Sequence, residues 1–502
     1  MRSKRTRDQP RKFILTDLLG SGTYNCAYYL TEDNNVLRIG FLPYSNPAAS
    51  TIVKRGLEMV HVFQSFQNAL GPSLLQEMTQ YQIIDEKDLD KHVEGELCST
   101  IEDTRNLPEN VITEDDLEID DKAKNEFALQ HIEFLSGGDF TYTSLKKLRA
   151  KSNVNMGSDD ICFATFSLLW FFSMSQQLFG FRHHDLKGAN MMIRYTTELK
   201  EYTFEIEAVL YRFRSFFVPV VIDYDFGSVY STTTPEDRDQ KGTPYTRSPD
   251  HLLWSMYERE GYKYDFKYNP HVYDYWSLGI CFFELLCDIP KGIWTLFEQE
   301  CLYFTRTIKE ANTFLNVDRE SMDYFFYGLC FLAVVHNTSS LQPPRKYYGF
   351  IANVPSAAQW NDISDYVFKQ PDYKLLKSKW NDNSIFPPGL KSIIRKLLSL
   401  NPGERNASNQ PMKLILEETY FEKNTFTKKR GEKLSPYKGT NKPILSDEEL
   451  VQVDSAKLKG IAFLEGKVCF TCSEKYDSSK PFYLCECCAK PFCGEGCQRE
   501  KH

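Results

Sequence analysis

Residues 161–181, ICFATFSLLWFFSMSQQLFGF, carry no formal charge over 21 positions. A run of that length can cross a bilayer as a helix, because about 20 apolar residues span the hydrocarbon core. It can equally fill the middle of a large folded core. Ser167, Ser173, Ser175, Gln176 and Gln177 interrupt its apolar character, and the polar run HHDLKGAN begins just after Arg182. The sequence therefore predicts a buried core helix here, and no transmembrane segment.

With 502 residues the chain is long for one average domain, so two or three folding units are expected. Hydrophobic residues at 42% and aromatics at 14% suffice for a large core and exclude a mainly disordered chain. The net charge of −8 argues against a general nucleic-acid coat, and no specific nucleic acid is expected as a partner. The opening MRSKRTRDQPRK has no apolar stretch behind it. This predicts an intracellular protein, cytoplasmic or nuclear, with residues 1–12 as a disordered basic tail or a patch for nuclear import or an acidic partner.

Residues 47–69 read as an amphipathic helix through Ile52, Val53, Leu57, Val60 and Phe63. Residues 85–121 carry 15 acidic side chains against Lys87, Lys91 and Arg105, the composition of a solvated loop. From about 157 to 423 the pattern is mostly helical, with a strand-rich stretch at 203–224. Residues 424–464, with Gly431, Pro436, Gly439 and Pro443, read as a linker.

Four short motifs occur in one order. Gly20-Ser21-Gly22-Thr23-Tyr24-Asn25 lies between two expected strands, where glycines let backbone approach a phosphate; a plain hairpin gives the same pattern. In HHDLKGAN, Asp185 can accept the proton of an attacking hydroxyl, Lys187 can steady a transferred phosphoryl group, and Asn190 can ligate Mg²⁺. VVIDYDFGSV delivers Asp225, a second Mg²⁺ carboxylate, to the end of a Val/Ile-rich strand. GTPYTRSPD follows, and then DYWSLGICFFELL from Asp274. Singly, each Asp or Gly reads as a turn residue.

In this order the motifs resemble the eukaryotic-type protein kinase superfamily over residues 12–423, and divergent kinases of large DNA viruses or fast-evolving protists within it. The resemblance implies an α+β, bilobal kinase fold, residues 13–423, with ATP held between a small β-rich lobe and a helical lobe. Inserts fall near 85–121, 195–218 and 290–385, as docking surfaces or tolerated surface insertions. HIEFLSGGDF stands where the family has its hinge, so Glu133 and Leu135 would offer backbone groups to adenine, and Asp139 would meet ribose. Gly20, Gly22 and Ala27 would line the nucleotide. Ser248-Pro249-Asp250 stands for the family's A-P-E, Arg405 for the arginine that pairs with it, and Asp274 for the buried aspartate that braces the catalytic loop. Lys187 and Thr243 favour Ser/Thr over Tyr as acceptor. The 161–181 helix becomes the support of that loop.

Two departures matter. Arg38, in VLRI, stands where the family has its phosphate-gripping lysine, and no lysine occurs between Lys12 and Lys54. Arginine keeps the charge on a larger planar head, which would hold phosphate differently. Its helix partner would be Glu58, which reads as well as a surface residue. His184 replaces the arginine that meets a phosphorylated activation loop, so switching through Ser231, Thr232, Thr233 or Thr234 is not expected. The expected activity is thus an ATP- and Mg²⁺-dependent Ser/Thr protein kinase acting on a protein substrate. A pseudokinase scaffold and a small-molecule phosphotransferase are the competing readings. GTPYTRSPD, DYWSLG and Arg405 argue against the last.

Of the 14 cysteines, Cys26, Cys98, Cys162, Cys281, Cys287, Cys301 and Cys330 are scattered and expected to be inert core thiols. The other seven fall within the last 34 residues as C469-x2-C472-x12-C485-x-C487-C488-x4-C493-x3-C497, with His502 beyond. Paired C-x-x-C spacing predicts Zn²⁺, since thiolates on tight turns can share one tetrahedral ion. CAKPFCGEGCQ resembles a MYND-type cross-braced finger, placed at residues 465–502. That resemblance implies Cys469, Cys472, Cys493 and Cys497 on one ion, and Cys485 and Cys488 opening a second site that His502 or Cys487 would complete. It also implies a peptide or protein partner.

Overall fold

Alternation shapes the first part of the chain. Along NCAYYL, Asn25–Leu30, Cys26, Tyr28 and Leu30 are buried while Asn25, Ala27 and Tyr29 are half-buried. Along Asn35–Leu42, Leu37, Ile39 and Phe41 point into the same core. Residues with period two share one face of a strand, so each strand has one buried face.

The computed structural model describes residues 12–21, 25–30, 35–42, 63, 66–74, 78–99, 101, 126–133, 141–144, 156–206, 209–224, 227–229, 242–249, 251–252, 271–287, 289, 319–342, 356–399, 410–426, 437–439, 450–453, 482–485 and 491–492. The chain is mixed α and β, strand-rich early and helical later. It divides into two units: Met1–Ser65 with Leu75–Phe140, and Phe66–Leu74 with Thr141–His502. The division at Phe140 coincides with the end of HIEFLSGGDF.

In the first unit, strands β1 (Asp17–Ser21), β2 (Asn25–Leu30), β3 (Asn35–Leu42), β4 (Met78–Asp85) and β5 (Glu126–Glu133) form one antiparallel sheet in the order β1-β2-β3-β5-β4. Its core draws on Leu15, Cys26, Tyr28, Leu37, Ile39 and Phe41. Ile84, Leu89, Val93, Cys98 and Ile101 join the same core. The start of the acidic stretch is therefore not a solvated loop. Its charged residues Asp90, Glu94 and Glu96 face water while the apolar ones between them are buried. Nor are Cys26 and Cys98 inert thiols, because they form a disulfide. Of the 47–69 helix, Phe63 and the short segment Gln67–Leu70 are helical, Phe66 is a buried turn residue, and the other positions lie outside the described residues.

In the second unit, α1 (Ser158–Phe179) is buried on nearly every side. The Asp160 carboxylate accepts the Gly157 N–H at 2.9 Å, starting the helix, and Gly180 ends it at φ 63°, a left-handed cap suited to glycine. Among the described residues this is the one helix long and apolar enough to cross a membrane, and 78% of its apolar window is buried inside the protein.

Strands β6 (Met191–Ile206) and β7 (Val209–Val221) form a long hairpin against α1. Phe166 lies 4.8 Å from Phe204 and 4.6 Å from Phe213, and Phe163 stacks on Tyr202 at 4.4 Å. The stretch 195–218 thus contributes to the core: Phe204 and Phe213 supply apolar area that α1 needs, while Leu199, Val209 and Phe216 are exposed. Three more helices come from within or beside the 290–385 insert: α3 (Arg319–His336), α4 (Ala357–Lys369) and α5 (Pro371–Asn381). They too enter the core, with Phe331 4.6 Å and Trp380 5.7 Å from Phe283. The stretch read as a linker contributes strands. Thr425–Phe426 pairs with β7 and Tyr437–Gly439 with β6, because the hairpin offers open edges.

Cys162, Cys281, Cys287 and Cys330 are buried free thiols, as expected of core cysteines. Burial pushes the Cys162 thiol up to about 12, against the nearby Lys423. At pH 8 the folded protein then holds about a thousandth of the Cys162 thiolate that an unfolded chain would hold. Iodoacetamide should label Cys162 in urea and leave it unmodified in the native state. The raised value favours folding fully below the unfolded pKa of 9, and that contribution is lost as pH rises toward 12.

Candidate active site

The turn after α1 is drawn into place by a single carboxylate. Asp274 lies near the start of α2 (His271–Leu286) and is fully buried.

 The Asp274 Oδ2 accepts the His183 N–H at 2.6 Å and its Oδ1 the His184 N–H at 3.0 Å. Burial pushes the Asp274 carboxyl above the usual carboxylate range, against the opposing pull of His183 and of these two amides.

The imidazole of His183 continues the brace. Its Nδ1 accepts the Asp185 N–H at 3.3 Å, so Nε2 is the nitrogen that donates, to the Ile222 carbonyl at 2.9 Å. His184 has φ 64°, a left-handed conformation uncommon outside glycine, and the two hydrogen bonds that the His183 and His184 N–H groups donate to Asp274 hold this turn.

Asp185 emerges from this turn nearly buried and meets four donors. Oδ1 accepts the Thr243 N–H and the Thr243 hydroxyl, both at 2.7 Å. Oδ2 accepts Lys187 Nζ at 2.8 Å and Asn190 Nδ2 at 3.1 Å. An ionised carboxylate offers only acceptors, and this set matches it. Lys187 also donates to Thr243 Oγ1 at 2.8 Å, and Asn190 Nδ2 to the Asp185 carbonyl at 2.8 Å. With Nδ2 engaged, the Asn190 carbonyl oxygen is the atom left to offer a hard cation such as Mg²⁺.

Gly242 lets the Thr243 segment approach. It has φ +81°, and a Cβ there would lie 2.0 Å from the His184 carbonyl oxygen. Gly242→Ala should therefore cost about 3 kcal/mol of stability, read from urea melts, since neither backbone can yield without moving Asp185. An unchanged melt would show that the two segments are not packed this closely.

The structure thus brings Asp185, Lys187 and Asn190 together. Sequence reasoning gave Thr243 only a part in acceptor preference and missed its two bonds to Asp185. Its place directly after Gly242 was the available signal. In the first unit, strand register aligns Gly20, Ala27, Arg38, Gln130 and Tyr81 in one row across the sheet. Directly opposed residues share a face, so three of the expected nucleotide residues, Gly20, Ala27 and Arg38, lie on the face away from Cys26 and Leu37. Gln130 and Tyr81 continue this row by backbone register. Glu133 ends β5 opposite Asn35. Gly22, Glu58, Leu135, Asp139, Asp225, Asp250 and Arg405 lie outside the described residues, as do Cys469, Cys472, Cys487, Cys488, Cys493, Cys497 and His502. Cys485 closes the strand Phe482–Cys485, paired with Leu450. No protein-family model matches the chain, and no curated protein matches it.

Proposed function

We propose that this chain is an ATP-dependent protein kinase that phosphorylates Ser or Thr hydroxyls of a protein substrate. On this reading it has the eukaryotic-type kinase fold, with a MYND-like zinc finger at residues 465–502 recruiting a peptide or protein partner. The observation that carries the reading is the Asp185 carboxylate, held by Lys187, Asn190 and Thr243 on a turn braced by Asp274. A carboxylate aimed by its neighbours can accept the acceptor hydroxyl's proton at hydrogen-bond distance. Lys187 stands beside it to meet the charge of the transferred group. Asn190 and Asp225 would hold Mg²⁺, which when bound neutralises charge on the phosphate oxygens. Arg38, on the third strand of its sheet, would take the phosphate-gripping role.

The test is Mg²⁺-dependent transfer of labelled γ-phosphate from ATP to a general protein acceptor. The unmodified protein should transfer. Arg38→Ala should lower transfer by about a hundredfold, chiefly by misplacing the phosphates. Activity that survives Arg38→Ala yet vanishes with Asp225→Ala would remove Arg38 from the phosphate site. Nucleotide binding without transfer would overturn the enzyme and leave a nucleotide-binding scaffold.

A further inference from the structure

We propose that Cys26–Cys98 is a redox latch that fixes the glycine-loop end of the first sheet and so governs nucleotide affinity. The disulfide joins β2, one residue past GSGTYN, to the segment 93–101, across 72 positions of sequence. That segment is also tied by Leu15 N–H to the Glu94 carbonyl at 2.7 Å and by Cys98 N–H to the Tyr28 hydroxyl at 2.6 Å. Cys26 and Tyr28 are both on the buried face of β2, so the segment grips one strand at two points. Ala27 lies between them on the opposite face, in the row with Gly20 and Arg38. Whatever holds β2 therefore also holds that row.

Cysteine usage argues that the latch opens. Among the described residues Cys162, Cys281, Cys287 and Cys330 are free thiols. That is the usage of a reducing compartment, where the disulfides that do form are mostly transient or regulatory. Cys98 is 6% exposed and Cys26 fully buried, so an incoming thiolate reaches Cys98 first. A dithiol reductant supplies the two electrons. One of its thiolates attacks the Cys98 sulfur, the S–S bond breaks, and Cys26 leaves as a thiolate and takes a proton. The second thiolate then displaces Cys98 from the mixed disulfide. The products are two cysteine thiols and a cyclic oxidised dithiol. A small-molecule disulfide reverses the exchange.

The full chain is prepared with its thiols blocked and no reductant, and half is then treated with dithiothreitol. Reduction should raise amide hydrogen exchange in residues 25–30 and 93–101 by about tenfold. The Cys26→Ser, Cys98→Ser double variant should match the reduced protein and ignore dithiothreitol. If that variant does not fold, the two redox states of the unmodified chain carry the comparison. This arm needs no nucleotide. A second arm rests on the proposed function: affinity for a non-hydrolysable ATP analogue with Mg²⁺ should fall about tenfold on reduction. Absence of a Cys26–Cys98 cross-linked peptide from the untreated sample, or equal exchange in both states, overturns the latch. Equal affinity in a protein that does bind the analogue overturns its control of nucleotide. Altered exchange with no binding in either state supports the latch and counts against the kinase reading.

Discussion

Asp185→Asn should lower phosphoryl transfer by about a thousandfold, within the range that a positioned general base supplies. The substitution keeps the size of the side chain and changes its hydrogen-bonding sense. Asp185 meets donors on both oxygens: Thr243 on Oδ1, Lys187 and Asn190 on Oδ2. An asparagine brings an NH₂ group to one of those sides, where it faces donors and not acceptors. The variant therefore loses its proton acceptor and loosens either Thr243 or Lys187. Nucleotide affinity should stay within about threefold, because Asp185 acts on the acceptor hydroxyl and not on the nucleotide. Single-turnover transfer and analogue binding, measured side by side, separate these effects. More than a tenth of the original rate would remove Asp185 from the chemistry.

The second large effect is on stability. Asp274→Ala should cost about 3–5 kcal/mol, as expected when a buried charged partner is removed from a hydrogen-bonded group. The His183 and His184 amides would be left buried with no carboxylate to accept them. His184, held at φ 64°, would relax, and Asp185 would move with it. Transfer should fall by at least about a hundredfold even where the protein remains folded. The pH dependence has a definite sign. Burial raises the Asp274 carboxyl in the folded state, so the native chain holds this proton more tightly than the unfolded chain. Its contribution is complete below the unfolded value of 3.8 and is lost as pH rises through the folded value. In urea melts across pH, the wild-type advantage over Asp274→Asn should shrink as pH rises. A gap that widens would contradict the burial of this carboxyl.

Much of the site could be read in the sequence because it is local. Asp185, Lys187 and Asn190 fall within six positions, and a turn of that length must bring them close. Asp274 could be placed only by resemblance, since its partners lie some 90 positions away. The Cys26–Cys98 pairing was not legible, because spacing alone does not determine connectivity. The hairpin was legible as strand only over 203–224; the first part of β6, from Met191, fell within the pattern read as mostly helical, and its packing as core was not legible. Alternation shows that one face is apolar without saying what covers it, and α1 covers it here. The start of the acidic stretch failed for the opposite reason. Net charge masked Leu89, Val93 and Ile101, whose burial depends on spacing and not on composition.

The short segment Phe66–Leu74 belongs with the second unit although the residues on either side of it belong with the first. The Ala69 carbonyl accepts Trp170 Nε1–H at 2.9 Å, across 101 positions, and the Ser73 carbonyl accepts the Val221 N–H at 2.9 Å. Ser73 and Ser167 share a hydrogen bond between their hydroxyls. The second unit is thus not a contiguous piece of chain. A fragment that begins at Thr141 would leave the Trp170 and Val221 donors without these acceptors inside a closed core. During synthesis, Phe66–Leu74 must wait until more than a hundred further residues have been made before α1 can receive it. The two units are therefore inseparable by cleavage at their boundary, and any division of the molecule for study has to carry this segment along with the helix that binds it.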